Sequence, residues 1–275
     1  MAIKCIALDL DGTTLNKEGK LSPGNKAALE HAIGQGVEVI IASGRPLVAL
    51  PEDVCAIEGI RYAVTANGAS IWHLPTGECL RKFYLEGSSV EEVIRLVKAF
   101  GVTLEVFVDG QAHADAAYVR DPAAFGAPEK AVPYVKSTRT AEEDIIAYVR
   151  QHIDELENMD VIVSDEEKKA ALWKELDAIE NIYVTSSVPR LLELSYKDSG
   201  KHGGVRYIRN LLGIKAEEVA AFGDADNDIE MLTEAGVGVA MANGTPRCLA
   251  AANRVTKHHD EDGVAAMVYE LLKEA

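Results

Sequence analysis

Two acidic segments stand directly behind apolar runs: Asp9-Leu10-Asp11-Gly12-Thr13 follows Ile3 to Leu8, and Gly223-Asp224-Ala225-Asp226-Asn227-Asp228 follows Val219 to Phe222. A hydroxyl and a cation, Ser43-Gly44-Arg45, follow a further run from Val37 to Ala42. Asp11-Gly12 taken alone reads as a turn. Acidic loops at the ends of two buried strands need a stronger reason, because buried carboxylates are costly unless paired or bound to a cation. In an open parallel sheet the ligand sits beyond the carboxyl ends of the strands, a rule that brings together Asp9, Asp11, Ser43, Asp224 and Asp228. Four carboxylates in one crevice repel one another, so the sequence predicts a cation among them. Oxygen donors with no His or Cys nearby favour Mg²⁺, which takes one or two carboxylates and completes its shell with water and substrate oxygens.

The elements that must position these groups follow from hydrophobic patterning. The runs Ile3 to Leu8, Val37 to Ala42, Val219 to Phe222 and Val237 to Met241 are too continuous for half-exposed strands and too short for helices. They read as buried parallel strands. Helical patterns separate them: Ser22 to Gly36 opens on Ser-Pro and ends in Gly, Lys201 to Leu212 has apolar residues at helical spacing, and Asp226 to Ala235 stops at Gly236. The alternation predicts a doubly wound α/β core with a parallel sheet. Between these ends the pattern changes. Ser88 to Phe100 and Thr140 to His152 read as helices, Thr103 to Val108 as an alternating strand, Asp121 to Pro133 as irregular, and Ser164 to Ile179 as a helix with capping-box spacing at Ser164 and Glu167. The expected division is a core of residues 1–85 and 190–275 with an inserted α+β cap domain of residues 86–189.

Composition narrows the partners. The 275 residues are 48% hydrophobic and 26% charged, as in a soluble globular protein. With 28 basic against 44 acidic side chains the net charge is −16, which argues against a nucleic-acid partner. No stretch approaches the ~18 apolar residues of a membrane helix, and the N-terminal residues lack a leader pattern, so a cytoplasmic protein is expected. Cys5, Cys55, Cys79 and Cys248 are scattered, without the spacing of a disulfide framework or a zinc site.

These junctions resemble the four motifs of the haloacid dehalogenase superfamily: Asp9 to Thr13 the first, Ser43-Gly44-Arg45 the second, Lys201 the third, and Gly223 to Asp228 the fourth. Asn67-Gly68-Ala69, Glu193-Leu194 and Asp262-Gly263-Val264 are similar to its Cof-type subfamily, which carries a large type IIB cap between the second and third motifs. The resemblance covers roughly residues 1 to 85 and 190 to 275 and is only architectural over the cap. It implies a phosphatase acting on a small phosphorylated metabolite. Asp9 would be the nucleophile that forms an aspartyl-phosphate, and Asp11 the general acid and base. Asp11 points to phosphatases and phosphomutases, since dehalogenases of the superfamily lack this residue and ion pumps carry Thr. Ser43 and Lys201 would hold phosphoryl oxygens, with the amides of Leu10 and Gly44 as an anion nest and Asn227 contacting phosphate or orienting Lys201. The Asp9 carboxylate, the Asp11 carbonyl and Asp224 would hold Mg²⁺, with Asp228 behind them or acting through water. Asp198 and His202 stand where the family commonly has Gly.

The remaining polar residues have plainer readings. Asp226 reads as a helix N-cap, Arg45 as a solvated cation or a leaving-group contact, and Trp72 and Trp173 as packing groups. His258-His259 reads as a surface pair, and His113, Tyr118 and Arg120 are cap candidates for touching substrate. Two alternatives stand beside the phosphatase: a sugar phosphomutase, which uses the same aspartate pair, and a non-catalytic phospho-ligand-binding module, which would be expected to have lost one of these groups.

Overall fold

The computed structural model describes residues 2–273. In chain order the strands are β1 Cys5–Leu8, β2 Glu38–Ala42, β3 Tyr62–Thr65, β4 Ser70–His73, β5 Glu78–Lys82, β6 Thr103–Val108, β7 Gln111–Asp115, β8 Arg139–Glu142, β9 Leu156–Ile162, β10 Ile182–Thr185, β11 Leu191–Tyr196, β12 Val219–Gly223, β13 Val237–Ala240 and β14 Arg254–Val255. The α-helices are α1 Pro23–Gly34, α2 Glu52–Cys55, α3 Gly87–Phe100, α4 Ala116–Arg120, α5 Val132–Thr138, α6 Ile145–Gln151, α7 Glu166–Asp177, α8 Lys201–Leu211, α9 Ile229–Glu234, α10 Pro246–Ala251 and α11 Gly263–Lys273. The chain forms two compact units, residues 1–45, 50–81 and 200–275, and residues 46–49 and 82–199.

The first unit is built on an eight-stranded sheet in the order β14-β13-β12-β1-β2-β3-β4-β5. The neighbours from β14 to β3 run parallel, and β4 returns antiparallel to β3. The four expected strands, β13, β12, β1 and β2, lie side by side in it. Alternate residues of β1 face opposite cores: Ile6 and Leu8 join α1 and α11 on one side, and Cys5 and Ala7 join α8 and α9 on the other. Burial on both faces is why these strands read as unbroken apolar runs. α1 starts where predicted, with Ser22 Oγ accepting the Asn25 amide at 3.0 Å and Pro23 in the first turn.

The second unit holds a six-stranded sheet in the order β10-β11-β9-β6-β7-β8, antiparallel apart from the β7–β8 pair. One face packs on α3 and α7 through residues such as Val93, Val97, Leu172 and Leu176. Several local expectations are corrected here. The segment from Thr140 opens as strand β8, because Arg139 at its start makes a two-pronged bond to buried Glu105, at 2.7 and 3.0 Å. Residues 121–133 are short helical turns followed by α5, the first of them capped by Asp121. The cap of α7 is Asp165, whose carboxylate accepts the Lys168 amide at 2.7 Å, one residue beyond the Ser164 that was expected to fill that place.

Candidate active site

The first functional side chains hang on one tight turn. The Asp9 amide continues the β1 ladder to Phe222 O at 3.0 Å, after which the amides of Thr13, Thr14 and Leu15 all point at the Leu10 carbonyl. Thr14 Oγ1 donates to Asp9 O at 2.6 Å. Asn25, fully buried, clamps the turn from outside: its Nδ2 donates to Thr14 O and its Oδ1 accepts the Ala265 amide, both at 3.0 Å. Gly12 has φ +81°, and a β-carbon there would lie 2.4 Å from Asp224 Oδ2. Two acidic loops distant in sequence thus meet where one chain has no side chain.

Lys201, the first residue of α8 and 2% exposed, is held between carboxylates, its Nζ donating to Asp9 Oδ1 at 2.6 Å and Asp228 Oδ1 at 2.7 Å. Burial works against the ammonium, but the charges of Asp228 and Asp9 outweigh it and raise its pKa. Asp228 Oδ2 accepts the amides of Asp224 and Ala225 at 3.0 Å each, so both its oxygens are engaged. Burial pushes the Asp9 carboxyl up to about 7, with the Asp228 charge adding to it and Lys201 opposing it. Asp224 is pushed up to about 8, by burial first and then by the charges of Asp9 and Asp228. Protons therefore accumulate on this group of acids unless a cation replaces them. One carboxylate oxygen each from Asp9, Asp224 and Asp228 lies within 4.8 Å of the others, an all-oxygen set that fits a hard divalent cation.

Around this centre the structure places the other expected residues with varying roles. Ser43 is buried at the end of β2, its Oγ accepting the Arg45 amide at 3.1 Å. Asp11 is exposed, and Arg45 clasps it with two bonds of 2.7 Å. Arg45 is therefore a partner of the acid-base candidate. Asn227 Nδ2 donates to Asn67 Oδ1 at 3.0 Å while its own buried Oδ1 has no protein partner. Asp226 does not cap a helix. Its carboxylate accepts from Thr245 Oγ1 at 2.8 Å and Arg247 Nη1 at 2.7 Å, and it pins the loop before α10. Among the cap candidates, His113 bonds Glu142 at 2.8 Å and stacks on Tyr148, Tyr118 is buried in the second unit's core, and Arg120 pairs with Glu143 on the surface.

Sequence reasoning gave three positions no role of their own, although Thr13 and Asn67 stand in the motifs that carry the resemblance. Thr13 Oγ1 donates to Asp224 Oδ1 at 3.0 Å. Asn67, at φ +49°, donates its amide to Ser43 O at 3.1 Å as well as receiving Asn227. Asn243 Nδ2 donates to Gly12 O at 2.8 Å and Asp224 Oδ2 at 3.4 Å, tying the two acidic loops together. The rule that found the aspartates would have found Asn243, since it follows the fourth apolar run, Val237 to Met241.

A buried lysine is shared by two aspartates that follow the carboxyl ends of parallel strands, and a profile of the haloacid dehalogenase-like hydrolases matches residues 6–268. The chain belongs to that family. The phosphatase YwpJ of Bacillus subtilis is 31% identical over 98% of this chain and the whole of its own length. A haloacid dehalogenase-like hydrolase from B. subtilis superposes with a TM-score of 0.83 at 27% identity, covering 98% of this chain and 100% of that one. The fold is also that of the subclass IIB sugar phosphatase BT4131, at a TM-score of 0.79 and 24% identity over 97% and 98% of the two chains. This member of the haloacid dehalogenase-like hydrolases is a phosphatase of the Cof type, with the α/β core and inserted cap its motifs implied. No helix among the described residues is long and apolar enough to cross a membrane.

Proposed function

We propose that the protein is a magnesium-dependent phosphomonoester hydrolase that takes the phosphoryl group of a small metabolite, of the sugar phosphate class, onto Asp9. The observation that carries this reading is the shared ammonium of Lys201, which fixes Asp9 Oδ1 at 2.6 Å and leaves the other carboxylate oxygen to act. That oxygen attacks phosphorus in line, forming an aspartyl-phosphate as the bond to the leaving oxygen breaks. Asp11 gives its proton to the departing alkoxide, a role typically worth about 10²–10⁴-fold. In the second half Asp11 takes a proton from water, whose oxygen attacks phosphorus and releases phosphate and free Asp9. Asp11 must loosen from Arg45 to carry that proton, which frees the guanidinium for the ester. Ser43, Lys201 and the amides of Leu10 and Gly44 hold the transferring oxygens, as phosphoryl transfer is catalysed mainly by positioning and charge.

Asp9, the Asp11 carbonyl and Asp224 are the groups that would hold Mg²⁺, with Asp228 behind them because Lys201 and two amides occupy its oxygens. The ion supplies positive charge to the carboxylates and phosphoryl oxygens. Sugar phosphates are favoured by the fold shared with a sugar phosphatase, and specificity is assigned to the inserted domain. Phosphate release from a panel of metabolite phosphates, with and without Mg²⁺, tests the reading. Magnesium-dependent release from sugar phosphates is expected. A product that is an isomerised sugar phosphate, formed only with a bisphosphate present, would replace the hydrolase with a mutase.

A further inference from the structure

One other cluster among the described residues has the makings of a ligand site: His258, His259 and Asp260 each place a potential metal-binding atom within 4.8 Å of the others. They lie in the loop between β14 and α11, which is anchored on several sides. His259 Nδ1 bonds the Leu15 carbonyl at 2.8 Å. A carbonyl can only accept, so in the neutral ring Nδ1 carries the hydrogen and the Nε2 lone pair is left available, the arrangement usual for metal-bound histidine. Asp260 Oδ1 accepts the Lys17 amide at 2.8 Å, which turns Oδ2 to within 3.9 Å of His258 Nδ1. His258 Nδ1 accepts the Asp260 amide at 3.2 Å, so its neutral ring carries hydrogen on Nε2 and an ion would take the Nδ1 lone pair in place of that bond; the ring lies 4.6 Å from that of His259. The His258 side chain is 42% exposed, so water can complete a coordination shell.

The donor set differs in kind from the catalytic carboxylates. Two imidazole nitrogens and one carboxylate suit Zn²⁺ and its neighbours and offer little to Mg²⁺, which prefers oxygen. The net charge of −16 favours any divalent cation. The loop also reaches the active site by two short routes. Leu15, which holds His259, bridges Asp11 in the nucleophile turn. The His259 amide donates to Asn243 Oδ1 at 3.0 Å, and the Nδ2 of the same Asn243 holds Gly12 O and Asp224.

We propose that His258, His259 and Asp260 form a metal site for a borderline divalent ion of the Zn²⁺ class, linked through Leu15 and Asn243 to the catalytic turn. The site takes its ion independently of the Mg²⁺ carboxylates. The test is calorimetric titration of Zn²⁺ into the whole protein in excess Mg²⁺, for wild type, His258→Asn, Asp260→Asn and Asp224→Asn. Asn at 258 keeps an acceptor for the Asp260 amide, and Asn at 260 keeps one for Lys17, so the loop retains its anchors. A single zinc event in wild type, weakened about tenfold or more by either loop substitution and kept in Asp224→Asn, is the expected result. No event in wild type, equal binding after both loop substitutions, or loss of the event in Asp224→Asn would overturn the site.

Discussion

Gly12 turns its bare α-carbon to Asp224: a β-carbon at Gly12 would lie 2.4 Å from Asp224 Oδ2, and the backbone there has φ +81°. The turn that carries Asp9 and Asp11 and the loop that carries Asp224 can meet only while residue 12 has no side chain. Gly12→Ala should therefore act on both stability and chemistry. The left-handed backbone costs an alanine about 1–2 kcal/mol. Displacement of Asp224 should lower turnover by about a hundredfold, the order expected when a reacting group shifts by roughly an ångström. Urea unfolding together with steady-state kinetics would separate the two, and wild-type turnover in Gly12→Ala would show that the contact has no bearing on the chemistry.

Removing Lys201 should be more damaging to the fold than removing either of its partners. Lys201→Ala leaves Asp9 and Asp228 buried without their shared cation, which typically costs about 3–5 kcal/mol. A lower urea midpoint at unchanged slope would be seen, together with loss of activity. Adding Asp9→Asn and Asp228→Asn to Lys201→Ala should restore much of the stability and none of the activity.

Metal-free protein should lose stability as pH rises. Asp9 and Asp224 are raised in the fold to about 7 and about 8 from an ordinary 3.8, so between these limits the native state binds more protons than the unfolded one. Stability is then highest below the unfolded value and falls as pH climbs through the folded values. Mg²⁺ competes with those protons, so its gain in melting temperature should be larger near pH 8 than near pH 5. Thermal melts across this range, with and without Mg²⁺, check the sign; a magnesium effect that shrinks with rising pH would mean the ion is held elsewhere.

Asn243→Ala should weaken the response to Mg²⁺ more than the affinity for the phosphate ester. Asn243 touches the Gly12 carbonyl and Asp224 and belongs to neither the nucleophile nor the acid-base pair. Loss of such an orienting partner typically costs about 10–100-fold in metal affinity or activity. The concentration of Mg²⁺ at half-maximal rate should rise while the ester's KM stays near wild type. An unchanged magnesium curve would leave Asn243 as a loop tie only.

The parts of this structure legible in the sequence are those where local pattern and tertiary role agree. β1, β2, β12 and β13 are buried on both faces, so their unbroken apolar runs identified them, and the residues just beyond them were found by the carboxyl-end rule. β3 and β4 were passed over because Tyr62–Thr65 and Ser70–His73 are short and separated by a turn with Asn67 at positive φ, which propensity does not reveal. Asn67 was thereby left without a role. β8 was hidden by a helical pattern from Thr140, since the Arg139–Glu105 pair joins segments 34 residues apart. Arg45 reads as a solvated cation until its bidentate grip on Asp11 is seen, a contact no local rule supplies.

The central claim is that the phosphoryl group passes through Asp9. Turnover of a sugar phosphate in the presence of Mg²⁺ should be stopped within its first cycles by acid, the protein digested, and the peptides weighed. A phosphoryl group on the peptide containing Asp9, absent in Asp9→Asn together with all hydrolysis, is the predicted result. Phosphate release that continues in Asp9→Asn, or a phosphoryl group trapped on a different residue, would contradict the account.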